Sequence, residues 1–286
     1  MRESIPDSVR SQRDIEQAVL FIDLLGFAAL TERFELDRAS IQRSERLFSL
    51  DPDEISRVHG NALTSTFRGF HQTVKFALDL ANMRHPLTAI TFSDSAFIAT
   101  DHLNEVANIA IDIVQSLATQ RIPVRMGIAY GSFAAVRFRS DVTSEGGEHS
   151  AHFLGTGVVR AHATESCGIK GIRLLLHPSA LGLIDNPIHN TTGLMQHKLR
   201  IVECSAAESG NAEGVGHEID YWRFRPTAEA EAWHALQDMW SAAPIPAANH
   251  YQATAEAINR MRIGQGAPAL TNLRRRTLPR WSGAVG

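Results

Sequence analysis

Cysteine, lysine and long apolar runs are all scarce in this sequence. Only two cysteines, Cys167 and Cys204, occur in 286 residues. That excludes a disulfide framework and a four-cysteine zinc site, and it suits a reducing compartment. Only Lys75, Lys170 and Lys198 are lysines among 28 basic residues, so an anion bound here is expected to meet arginine, which grips phosphate bidentately. The longest apolar stretch, residues 18–30, is broken by Asp23 and is too short to span a bilayer, while residues 1–17 are polar and charged rather than signal-like. The expectation is a cytoplasmic protein with no membrane partner. A formal net charge of -3 gives no general basic field for nucleic acid. The basic run Arg274, Arg275, Arg276 and Arg280 lies in a Pro- and Gly-containing tail and reads as a solvated terminus, not a nucleic-acid patch. No His-Glu-x-x-His helix and no Walker-type loop is present, which argues against a zinc protease or a P-loop NTPase.

Two acids interrupt apolar segments. Asp23 lies within Ala18-Val-Leu-Phe-Ile-Asp-Leu-Leu-Gly-Phe27, and Asp94 within Ile90-Thr-Phe-Ser-Asp-Ser-Ala-Phe-Ile98. Both segments are rich in β-formers and read as buried strands, where an uncompensated carboxylate costs about 2 kcal/mol or more. A cation shared by the two acids is the simplest compensation.

The hydrophobic content of 44% suffices for a sizeable core. Residues 18–24 read as a strand and 26–34 as a short helix; a longer helical region covers 51–83, with a break near Gly60. Strands 87–93 and 95–100 form a hairpin around Ser93-Asp94-Ser95. Asp101 is placed to cap a helix whose apolar stripe runs through Leu103, Val106, Ala110, Ile113 and Leu117 and which ends before Pro123. Residues 124–130 are a strand, Gly131 a turn, and 132–138 the returning partner; 140–150 read as a loop, 155–167 as a helix and 171–176 as a strand. This order is an α+β, ferredoxin-like split βαβ pattern with its helices on one face. Further strands are expected at 199–204 and 219–224, and helices at 226–240 and 247–263. The chain divides into a core at 1–178, additional strands and helices packed on it at 179–265, and a flexible basic tail at 266–286.

Across residues 18–176 the chain resembles the class III nucleotide cyclases. Phe21-Ile-Asp-Leu-Leu-Gly-Phe27 resembles their first metal motif, Phe92-Ser-Asp-Ser95 their Gly-Asp hairpin, and Val124-Arg-Met-Gly-Ile-Ala-Tyr-Gly131 their R-x-G-I-x-x-G strand. Gly155-Thr-Gly-Val-Val-Arg-Ala-His-Ala-Thr-Glu165 is similar to the helix that follows. The order of these four motifs is more specific than any one of them. The resemblance implies that Asp23 and Asp94, with the carbonyl of Leu24, hold two divalent cations, magnesium or manganese. It implies phosphate contacts from Leu25, Gly26, Phe27 and Arg125. Where purine cyclases carry a base selector this chain has Ile90, and His152 takes the other base-reading position; the family's helix Asn and Arg fall on Val159 and Ala163, leaving Arg160 as the nearest basic substitute.

Within the family the chain most resembles the pyrimidine cyclases of bacterial antiphage signalling, the Pycsar systems, through Phe92-Ser-Asp-Ser95 and Gly157-Val-Val-Arg-Ala161. That resemblance implies a homodimer with sites at the interface, UTP as the favoured substrate, cyclic UMP as the product, and a separate effector activated by it. A cytidylate or purine cyclase and an inactive nucleotide-binding module are the alternatives. Taken singly, Asp23 reads equally as a helix cap, Asp94 as a turn residue, Arg125 as an exposed strand residue, His152 as a loop histidine and Ile90 as core.

Overall fold

The computed structural model describes residues 16–34, 62–82, 87–139, 149–184, 199–205 and 214–270. Strand β1 (Glu16–Leu24) is followed by helix α1 (Phe27–Arg33), helix α2 (Ala62–Asn82), the hairpin strands β2 (Thr88–Thr91) and β3 (Ser95–Thr100), helix α3 (Leu103–Thr119) and strand β4 (Val124–Ser132). Next come β5 (Ala134–Arg139), β6 (His149–Leu154), α4 (Thr156–Glu165), β7 (Arg173–Leu176) and the short α5 (Pro178–Leu181). The described chain closes with β8 (Ile201–Glu203), β9 (His217–Ile219), α6 (Pro226–Ala242) and α7 (Ile245–Gly264).

Seven strands form one sheet in the order β2-β3-β1-β4-β7-β9-β8. Its first four strands are antiparallel neighbours, and with the connecting helices they make the α+β, ferredoxin-like core. The apolar run at 18–22 within β1 has a structural consequence. Its even positions, Ala18, Leu20 and Ile22, pack with Phe70 and Val74 of α2 and with the apolar stripe of α3. Its odd positions, Val19 and Phe21, pack with Phe97, Ala129 and Ala161 of α4. Side chains alternate across a strand, so a run apolar at five consecutive positions needs cover on both faces. The one-face arrangement expected from the element order is therefore corrected: α2 and α3 lie on one side and α4 on the other.

Five further expectations are corrected. Residues 132–138 do not return beside β4, because both edges of β4 are taken, by β1 and β7. Instead β5 leaves the sheet and pairs with β6 in a separate two-stranded ribbon. Gly131 lies within β4, and the strand β6 begins at His149, inside the stretch read as a loop. The cap of α3 is His102, without a side-chain cap bond, while the Asp101 carboxylate accepts a 3.0 Å bond from Gln17 Nε2. The last strand lies at His217–Ile219, just upstream of the expected 219–224. Residues 51–61, with the expected break at Gly60, and the basic run Arg274 to Arg280 lie outside the described residues.

The C-terminal segment extends the same sheet through β9 and β8. Arg173 on β7 and Glu218 on β9 form a fully buried pair at 2.5 Å, and Arg260 of α7 reaches the same carboxylate at 3.3 Å. Ala257, Ile258 and Met261 bury α7 against the core. Among the described residues, no helix is long and apolar enough to cross a membrane.

Candidate active site

Strand pairing brings the two acids to one end of the sheet. Asp23 lies next to the last residue of β1, with Ser95 of β3 on one side and Arg125 of β4 on the other in register. Asp94 is at the tip of the β2–β3 hairpin, and its backbone carbonyl accepts from Leu24 N–H at 2.9 Å. Ser93 Oγ donates to the Asp94 carboxylate at 3.1 Å, and the ring of His71 on α2 approaches the Ser93 carbonyl at 3.4 Å. The acids are 71 positions apart in sequence, and the β1–β3 ladder makes them neighbours.

The carboxylates outnumber the nearby cations. Burial first, then the negative charges of Glu165 and Asp94, push the Asp23 carboxyl up to about 7, while Arg125 pulls it the other way. Arg125 is committed: its Nε donates to Glu165 at 2.6 Å and its Nη1 to the Ile169 carbonyl at 3.2 Å. Both members of that pair are largely buried. Glu165, given no role in the sequence reading, thus anchors Arg125 and adds negative charge beside Asp23.

Among the described residues, no three His, Cys, Asp or Glu side chains converge as a metal cage. Two carboxylates and a backbone carbonyl nevertheless suit magnesium, which dehydrates reluctantly and is commonly held by one or two carboxylates together with substrate phosphates. The uncompensated negative charge around Asp23 fits the same ion.

Gly26 adopts a left-handed conformation, φ 80°, and caps α1 without a side-chain bond, a backbone state that costs glycine little. Leu25 N–H is bonded to the Pro123 carbonyl at 2.9 Å. The Leu25 amide is thereby occupied, which leaves Gly26 and Phe27 at the start of α1, where the first amides of a helix have no intrahelical acceptor. Beside it lies a mainly apolar cavity of about 310 Å³, walled by Leu25, Gly26, Pro123 and Ile172 from the core and by His250 and Tyr251 of α7. Burial, then the charges of Arg125 and Lys170, hold His250 below the usual histidine range.

The remaining residues are dispersed. Ile90 pairs with Phe97, which pairs with Phe21, so it shares the sheet face of Asp23. His152 lies on β6, in register with Val136. Arg160 Nη1 donates to the Tyr130 carbonyl at 3.0 Å. Tyr130 is five residues along β4 from Arg125, which is about 16 Å of strand. One chain therefore brings together Asp23, Asp94, Leu24, Gly26, Phe27 and Arg125, and holds Arg160 at the other end of β4. Around Arg160 the surface carries Val159 and Leu154, with Phe92 exposed near the hairpin; the Phe92, Phe97 and Phe153 rings form a cluster on the same face.

No protein-family model and no curated protein matches this sequence. Solved structures similar to the chain include the guanylate cyclase domain of RhGC from Catenaria anguillulae in complex with GTP, with 14% identity, a TM-score of 0.46, and coverage of 72% of this chain and 93% of that one. Another is an adenylate cyclase from Trypanosoma brucei, with 12% identity, a TM-score of 0.44, and coverage of 72% and 88%. A bacterial light-regulated adenylyl cyclase shares 12% identity and a TM-score of 0.46, over 79% of this chain and 57% of that one. At such identities and TM-scores the likeness decides nothing about activity, and what the site can do rests on its own residues.

Proposed function

We propose that this chain is a nucleotide cyclase that converts UTP into 3′,5′-cyclic UMP and pyrophosphate as a homodimer, its product activating a separate effector in antiphage defence. The observation that carries the cyclase reading is the pairing of β1 with β3. It places Asp23 and Asp94, both in cyclase-like motifs, at one sheet end with an excess of negative charge. Asp23, Asp94 and the Leu24 carbonyl would hold two divalent cations. When bound, these ions supply the acidity of the ribose 3′-hydroxyl, neutralise the triphosphate and stabilise the leaving pyrophosphate.

The protein's own groups do the rest. The Gly26 and Phe27 amides receive phosphate oxygens, and Arg125, held in place by Glu165, presents a fixed positive charge. The 3′-oxygen attacks the α-phosphorus, the bond from the α-phosphorus to the bridging oxygen breaks with release of pyrophosphate, and the hydroxyl proton passes to solvent water. Arg160 completes this site from the partner subunit, a role its roughly 16 Å separation along β4 denies it within one chain. A twofold pairing over the face bearing Phe92, Leu154 and Val159 would cover those exposed side chains.

Base choice rests on Ile90 and His152. Ile90 offers no polar partner for the edge of a purine, which leaves ATP and GTP poorly paired. A donor at His152 favours uracil, whose O4 accepts, over cytosine, whose amino group donates. The test is competition among equal concentrations of the four nucleoside triphosphates with Mg²⁺ or Mn²⁺, the products identified by mass. Cyclic UMP is expected. Cyclic CMP would overturn uracil selection and keep the pyrimidine reading, whereas cyclic AMP or GMP would remove both. Binding without turnover would instead support an inactive nucleotide-binding module, the reading favoured by Val159 and Ala163 at the family's Asn and Arg positions.

A further inference from the structure

The hairpin that carries Asp94 is fastened from three directions. The Leu24 amide takes the Asp94 carbonyl at 2.9 Å, and Phe92 N–H closes the turn onto the Ser95 carbonyl at 2.7 Å. The third fastening comes from outside the sheet: His71 Nε2 stands 3.4 Å from the Ser93 carbonyl. A carbonyl only accepts, so the proton of this contact lies on Nε2. The imidazole is wedged between the rings of Phe67, 4.2 Å away between centroids, and Phe70, 5.1 Å away. Phe70 is itself fully buried in the main core. The chain of contacts therefore runs from the core through α2 to the peptide immediately before Asp94. His71 touches no reacting group.

We propose that His71 is a positioning residue, which ties the Asp94 hairpin to helix α2 and thereby sets the geometry in which Asp94 meets a divalent cation. This rests on the two-cation reading above and adds to it a residue on an element that contributes no ligand. The Ser93 hydroxyl, bonded to the Asp94 carboxylate, transmits the restraint. Without the tie, Asp94 keeps its charge but samples more orientations, so cation affinity falls while saturated turnover changes little.

Two substitutions separate position from packing. His71→Phe keeps an aromatic ring between Phe67 and Phe70 and removes the N–H; His71→Gln keeps a donor of similar reach. Mn²⁺ binding to the full-length chain is titrated by electron paramagnetic resonance for both, for wild type and for Asp23→Asn, and half-saturating Mn²⁺ is measured by turnover. One hydrogen bond of ordinary strength predicts about a fivefold weaker Mn²⁺ affinity in His71→Phe, with kcat at saturating Mn²⁺ near wild type and recovery in His71→Gln. Amide exchange at Phe92 and Leu24 should quicken in His71→Phe while α3 stays protected. Wild-type Mn²⁺ affinity and exchange in His71→Phe would overturn the positioning role alone, provided Asp23→Asn loses Mn²⁺. If wild type itself binds no Mn²⁺, the two-cation reading falls, and this proposal with it.

Discussion

Asp23 shows how a single half-buried carboxylate is held against its own preference. Its pKa of about 7 lies well above the ordinary 3.8, for reasons of burial and of the neighbouring Glu165 and Asp94 charges. Between those two values the folded chain keeps a proton that the unfolded chain has lost. The folded state binds more protons in that window, so metal-free stability falls as pH rises from about 4 to about 7 and is level above it. Asp23→Asn should flatten this slope in urea titrations run at a series of pH values. It should also gain about 2 kcal/mol at pH 8 without metal and lose cyclisation altogether. Near wild-type turnover in this variant would remove Asp23 from the metal site. Asp94→Asn should abolish turnover too, and the same assay reads it.

At the scale of elements, the site depends on how closely α4 lies against β4. Gly127 permits that approach: a Cβ there would stand 2.3 Å from the Ala161 carbonyl and 2.7 Å from Glu165 N. These are backbone atoms of a helix and cannot swing aside. Gly127→Ala should lift α4 and cost about 1–3 kcal/mol, with a lower urea midpoint at unchanged m-value. Because Glu165 and Arg160 both ride on α4, activity should fall further than stability; a variant as stable and active as wild type would show that the packing is looser. The join between β7 and β9 makes a different demand. Arg173 and Glu218 are fully buried, so Glu218→Leu strands a charge and should cost about 3–5 kcal/mol, while Arg173→Met with Glu218→Leu should recover most of it. Chemical denaturation of Glu218→Leu, Arg173→Met and the double variant checks this, and additive losses would contradict it.

For the whole molecule the main consequence of the fold is separation. Arg160 bonds to Tyr130 at one end of β4, and Asp23 pairs with Arg125 at the other. The proposed sites built across a twofold interface would reconcile the two positions. Asp23→Asn and Arg160→Ala proteins should each be inactive alone, and a heterodimer of the two should regain up to about half of wild-type activity per dimer, since one of its two sites contains no altered residue. Co-expression with two affinity tags and assay of the doubly purified species measures it. No recovery from a verified heterodimer would count against a shared site.

The α+β element order, the hairpin at Asp94 and the amphipathic helices were legible in the sequence because local periodicity and turn chemistry specify them. The candidate metal acids were legible because a charge inside an apolar run is conspicuous without any structure. Glu165 and His71 were not. Glu165 sits on a helix, where a carboxylate is unremarkable, and only the closeness of α4 to β4 commits it to Arg125. His71 gains its role from a contact across 22 residues, and such contacts leave no periodic mark. The separate β5–β6 ribbon was likewise decided by competition for the edges of β4. Sequence alone thus determined which residues bear charge and which segments are strand or helix. Tertiary structure decided which of those charges meet, because pairing partners depend on the edges and faces that the other elements leave open.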